Sequence, residues 1–198
     1  MGHDELLKSS EFFAETSKEV LATIAARGES RNLQRGDILF KEGEKPESMY
    51  IVLSGRVAIA IGNRPLDSRE SMLALMERGD LFGELGLLDG GARSAMARAI
   101  EPSSVLQIPY AIVLEQLESN PSMLWGVTKL LAKRLRTMDE VLSDSVFLDV
   151  TGRTAKRLVE LSGGKDEFVL PITQEELAGM VGASRERVNK AIASFIRL

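Results

Sequence analysis

Phe82-Gly83-Glu84-Leu85-Gly86-Leu87-Leu88-Asp89-Gly90-Gly91-Ala92-Arg93-Ser94-Ala95 sets one carboxylate and one guanidinium at opposite ends of a glycine-rich loop. Glu84 can accept a hydrogen bond from a sugar hydroxyl. Arg93 can meet a phosphate with a planar, two-pronged fork. Gly83 keeps a side chain out of the place where a ligand would approach the backbone. Ser94 and the Ala95 amide are small donors beside the same anion. Leu85 starts the apolar turn between the two charges. A cyclic nucleotide carries both complementary groups, a ribose hydroxyl and a single cyclic phosphate charge. The alternative is a surface loop whose Glu84 and Arg93 form an ordinary ion pair, which contributes little stability and needs no such glycine pattern.

The loop sits in a chain of 198 residues, enough for one large or two modest domains, with 44% hydrophobic residues. There is no Cys, and the single His is His3, so thiolate metal sites, iron–sulfur clusters and His-ligated haem or zinc are unexpected. An organic ligand is the remaining expectation, with no metal. No apolar run reaches the roughly 18 residues of a membrane span, and the acidic N-terminus does not read as a signal peptide. The expected location is the cytoplasm. The net charge of −4 is unevenly spread. From Thr151 onward eight Lys and Arg face six Asp and Glu, a balance of +2, which leaves −6 for the preceding residues. A small basic tip on an acidic body suits local phosphate contact.

Upstream of the loop, Thr16-Ser17-Lys18-Glu19 has capping-box spacing and predicts a short helix from Thr16 through Val20, Leu21 and Ile24. From about Arg31 to Pro109, short apolar runs at 37–40, 49–53 and 56–61 alternate with turn residues. That pattern predicts a small antiparallel barrel or jelly roll with the cassette inserted in it. Tyr110–Ser119 reads as a short helix. Asn120-Pro121 reads as a cap and first turn of a long helix reaching about Asp144. Its seam runs Leu124, Thr128, Leu131, Leu135, Met138, Leu142, in steps of four and three. Such spacing favours pairing with a second copy over packing on the chain's own barrel. Gly126 interrupts this helix, and 147–153 reads as a hinge.

Beyond the hinge, Thr173 and Glu176 form a capping box. Leu177, Ala178, Val181 and Val188 supply a shared core, and Gly182 sits at the turn. Ser184 would cap a second helix, from which Arg185, Glu186, Arg187 and Lys190 project. This is helix-turn-helix spacing, with Arg able to read guanine and Glu able to accept from cytosine. An ordinary helical hairpin is the alternative.

Taken together, FGELGLL, RSA, the long helix, FLDVTGR and GASRERVNK resemble the Crp/Fnr family of bacterial transcription regulators. The resemblance implies an α+β chain. An N-terminal β jelly roll (1–119) binds a cyclic nucleotide, a dimerisation helix follows (120–146), and a helix-turn-helix domain (147–198) binds DNA. It implies cyclic AMP as effector, a homodimer on a two-fold symmetric DNA site, RNA polymerase as a partner, and no catalysis. Gly83, Glu84, Arg93, Ser94 and Ala95 match phosphate and ribose positions, and Arg134 matches an arginine of the long helix that faces the pocket. Where the family commonly has Thr-Ser to hold the purine, this sequence has Met138-Asp139. Asp139 either accepts from the adenine amine or lies on a solvated face. The family also continues into a β-hairpin wing where this sequence stops. A nucleotide-binding module with weak DNA binding is therefore the second expectation.

Overall fold

The computed structural model describes residues 2–62 and 70–197. Among them, two four-stranded sheets are built from β1 (Glu29–Leu33), β2 (Ile38–Phe40), β3 (Ser48–Ser54), β4 (Val57–Gly62), β5 (Glu70–Met76), β6 (Leu81–Phe82), β7 (Met96–Ala99) and β8 (Ser103–Pro109). The strand orders are β1-β8-β3-β6 and β2-β7-β4-β5, and the registered pairs are antiparallel. The expected jelly roll is present, and the predicted runs fall on β2, β3 and β4.

Strand β3 shows why the layers form. Its residues 48–52 are buried on both faces. Met49 and Ile51 point to a core shared with α1 (His3–Ser9), the 3₁₀ turn Glu11–Phe13, α2 (Lys18–Arg27) and α4 (Tyr110–Ser119). Tyr50 and Val52 alternate to the opposite core with Phe40, Val57, Phe82, Ala97 and Val105.

Two helix starts differ from the sequence reading. Ser17, not Thr16, caps α2, accepting from the Val20 amide at 3.4 Å. Thr16 is drawn into the core, 2% exposed, and its hydroxyl cannot serve the helix end. The long helix α5 is Met123–Phe147. It begins after Pro121 because Asn120 closes α4 instead, its side-chain amide donating to the Gln116 carbonyl at 3.1 Å. Gly126 is explained: a Cβ there would collide with the Phe12 carbonyl oxygen.

Contacts divide the chain into two compact units, 1–61 with 75–134, and 62–74 with 135–198. In the second, α6 (Val150–Ser162), α7 (Gln174–Val181) and α8 (Arg185–Phe195) surround Leu177, Ala178, Val181, Val188 and Ala191. Among the described residues, no helix is long and apolar enough to cross a membrane, and no group of three or more His, Cys, Asp or Glu could hold a metal.

Candidate functional site

The cassette hangs between β6 and β7. Gly83 turns it with φ +76, and a Cβ there would lie 2.8 Å from Arg93 Nη1. The short helix α3 (Leu85–Asp89) follows, with Glu84 at its N-cap position and half-buried Leu85 as its first residue. Gly90, φ +71, ends it.

Arg93 is 7% exposed, so the surface-loop alternative fails. Its guanidinium lies 4.0 Å from the Phe40 ring centroid, with Tyr50 and Tyr110 rings within 6 Å. Nη1 donates to the Gly83 carbonyl at 2.8 Å and to the Tyr110 hydroxyl at 3.2 Å, and Nη2 donates to the Ser48 carbonyl at 2.7 Å. The Tyr110 hydroxyl in turn donates to the Gly83 carbonyl. Burial pushes the Tyr110 hydroxyl above its usual range, with the Arg93 charge opposing, so it remains a donor at neutral pH.

Two ladders assemble this cluster. β3 pairs with β8 so that Ser48 faces Pro109, which brings the Ser48 carbonyl beside Tyr110 at the start of α4. β3 pairs with β6 so that Tyr50 faces Phe82, which brings Gly83 alongside.

Glu84 is fully buried, 0% exposed. Its partner is not Arg93. Oε1 accepts from Nη1 of Arg134 at 2.5 Å, and Arg134 Nη2 donates to the Leu81 carbonyl at 3.0 Å. Glu84 Oε2 has no hydrogen-bond partner among the described residues. Burial raises the carboxyl's pKa above the ordinary carboxylate range, and Arg134 pulls it the other way.

The structure thus brings Gly83, Glu84, Arg93 and Arg134 together, with Ala95 buried and Ser94 exposed beside them. Asp139 and Met138 are exposed on α5 and are not among the groups these bonds join. Sequence reasoning missed Ser48, Tyr110 and Phe40, whose residue types read as ordinary strand and helix positions.

The helical unit has the expected caps. Thr173 Oγ1 accepts from the Glu176 amide at 3.2 Å, and the Glu176 carboxylate accepts from the Thr173 amide at 2.7 Å. Gly182, φ +68, makes the turn. Ser184 accepts from the Arg187 amide at 3.4 Å. Arg185, Glu186, Arg187 and Lys190 are all solvent-exposed, an arrangement able to reach phosphates and base edges. The α5 seam is likewise uncovered in the single chain: Leu124 is 53% exposed, Leu131 40%, Leu135 60%, Met138 67% and Leu142 64%, with Thr128 exposed between them.

Comparison with known proteins agrees with this geometry. Residues 30–120 match the cyclic nucleotide-binding domain, and residues 152–198 match the Crp-like helix-turn-helix domain. A CRP-like cAMP-activated global transcriptional regulator of Mycobacterium tuberculosis is 35% identical over 199 residues, covering 97% of this chain and 88% of the relative. The cAMP-activated global transcriptional regulator CRP of Pasteurella multocida is 35% identical over 161 residues, covering 78% and 76%. Among solved structures, the catabolite activator protein of Thermus thermophilus is 30% identical with a TM-score of 0.61, covering 95% of this chain and 87% of that one. The c-di-GMP responsive global regulator CLP of Xanthomonas campestris is 26% identical with a TM-score of 0.76, covering 91% and 92%.

Proposed function

This chain belongs to the Crp/Fnr family of bacterial transcription regulators, and from that premise we propose that it is a homodimeric, cytoplasmic regulator whose hold on DNA is set by cyclic AMP. The family is one of regulators, not enzymes.

One observation carries the ligand assignment. Glu84 presents a buried carboxylate oxygen without a partner among the described residues, in the same cassette as a buried Arg93. An unpaired buried acceptor is costly unless something arrives to satisfy it. A ribose hydroxyl would donate to Glu84 Oε2, the cyclic phosphate would lie on Arg93, and Ser94 and the Ala95 amide would add donors. Gly83 and Leu85 shape the backbone around the sugar, and Asp139 is the candidate for the purine amine. In the dimer, the exposed seam from Leu124 to Leu142 would pair with its counterpart. Arg185, Glu186 and Lys190 would read bases, while Arg187, Thr173 and Ser184 would meet or order backbone contacts. RNA polymerase would be engaged once the dimer is on DNA.

Relatives are described as responding to cAMP in some cases and to c-di-GMP in one, so effector choice needs direct measurement. Calorimetric titration with cyclic AMP, cyclic GMP and c-di-GMP side by side tests it, joined to a mobility-shift titration on selected DNA with and without each ligand. Submicromolar to micromolar binding of cyclic AMP, with tighter DNA binding in its presence, is expected. Binding of c-di-GMP alone, or none of the three, would overturn the assignment.

A further inference from the structure

We propose that Tyr110 is a positioning residue, holding the Arg93 guanidinium at the in-plane angle a cyclic phosphate requires. The proposal rests on the reading of Arg93 as the phosphate ligand and assigns the group that orients it.

A guanidinium has five N–H groups. Nη1 donates towards the Gly83 carbonyl and the Tyr110 hydroxyl, and Nη2 donates to the Ser48 carbonyl. Among the described residues, Nε and the second Nη2 proton meet no protein acceptor, which leaves them for an anion. The Phe40 ring lies under the guanidinium carbon, its centroid 4.0 Å away, and favours a stacked plane for the group. It does not fix rotation within that plane, because attraction to a ring face is indifferent to that angle. Directed hydrogen bonds must do so.

Two of the three acceptors are backbone carbonyls, so Tyr110 is the one whose contribution a side chain determines. It also does two things at once. Its oxygen accepts from Arg93 Nη1, and its proton goes to the Gly83 carbonyl. It therefore ties the arginine to the very backbone turn that opens the cassette. Removing only this oxygen takes away one of the two Nη1 acceptors and the hydroxyl bond that holds the Gly83 carbonyl, which lets the guanidinium turn on Phe40. The ligand's phosphate would still find a positive charge, but one no longer aimed.

The test uses the full chain with Tyr110→Phe. Cyclic AMP affinity is measured by calorimetry, together with the two diastereomers in which sulfur replaces one or the other exocyclic phosphate oxygen. An aimed guanidinium distinguishes the diastereomers, and a mobile one does not. The expected result is a loss of about three- to tenfold in cyclic AMP affinity, with the wild-type preference between diastereomers falling towards parity. In an Arg93→Lys background, which lacks the planar fork, Tyr110→Phe should add no further loss. Equal weakening of both diastereomers with the preference retained, or an undiminished effect in the Arg93→Lys background, would mean that Tyr110 supports the fold only, and would overturn the proposal. Failure of the wild-type chain to bind any of the three ligands would instead overturn the nucleotide reading itself.

Discussion

Replacing Glu84 by Gln is the most informative single change, because the structure separates its two oxygens. Oε1 holds Arg134 at 2.5 Å, and Oε2 is buried without a partner among the described residues. In Glu84→Gln the amide oxygen can keep facing Arg134, which puts the NH2 group in the place of Oε2. The ligand-free protein then loses a charged pair but no longer buries a carboxylate. Removing one charge of a buried pair destabilises by leaving the other charge unpaired, but Arg134 is about one-third exposed and keeps the Leu81 carbonyl, so net stability should fall by only about 1–3 kcal/mol. Binding should respond differently. A ribose hydroxyl that donated to a carboxylate now faces another donor. Hydrogen bonds to charged groups contribute roughly 1.5–3 kcal/mol, so affinity should fall about 10- to 150-fold at 1.4 kcal/mol per decade.

Acidity supplies an independent check on the same residue. Because burial raises the Glu84 pKa in the folded chain, the native state keeps a proton that the unfolded chain has already released. Over the window from the ordinary carboxylate value up to the raised one, this contribution to stability therefore declines as pH rises. Ligand affinity should run the other way, falling as pH drops through that window, because a protonated Glu84 is a poorer acceptor. Glu84→Gln should flatten both trends. Chemical denaturation and calorimetry across pH give the two curves. A Glu84→Gln protein that binds cyclic AMP within twofold of wild type, with the acid dependence intact, would refute the assignment of Oε2 to the ribose.

Arg93→Ala should abolish most nucleotide binding and also lower the melting temperature, since it strips the Ser48 carbonyl of its donor and opens a hole over Phe40; an unchanged affinity would remove Arg93 from the site. Replacing Leu131 and Leu135 together with Asp should yield monomers in sedimentation, because each change would bury a charge against its counterpart; a persistent dimer would place the interface elsewhere. Arg185→Ala should cost about 1–3 kcal/mol on the preferred DNA and relax one symmetric base position. Arg187→Ala should weaken all sequences alike and reduce the salt slope by roughly one. Selection from random DNA, with half-sites about 10–10.5 base pairs apart, checks both.

Local chemistry was legible in the sequence, and long-range register was not. The Thr173–Glu176 box, the Ser184 cap, the bounds of α4 and the exposed α5 seam all follow from residue types within a few positions of one another. The cap of α2 shows the limit even there. Thr16 and Ser17 offer equivalent hydroxyls, and only the demand of the core for Thr16 decides between them. The partner of Glu84 illustrates the larger gap. The spacing of the cassette invited a pair with Arg93, yet Arg134, fifty residues on, takes that place. The acceptors around Arg93 converge from β3, β6 and α4 through the Ser48–Pro109 and Tyr50–Phe82 registers. No periodicity announces those pairings, because each strand looks equally well buried in any register that keeps its faces.

A ligand can switch a protein only through what it does differently to two states. Most of the polar groups in the site have protein partners: Nη1 and Nη2 of Arg93 and one oxygen of Glu84 are engaged. On the proposed reading, a phosphate would add to these bonds without first breaking them, so its contacts would favour binding without rearranging the groups around Arg93. Arg134 is different. It lies on α5, the helix that bears the seam, and among the described residues its carboxylate partner is Glu84, the residue whose charge the ligand would control on the proposed reading. A hydroxyl donated to Oε2 favours the ionised form of Glu84, and an ionised Glu84 holds Arg134 more tightly. On the proposed reading, the ribose rather than the phosphate would then be the part of the ligand that α5 feels.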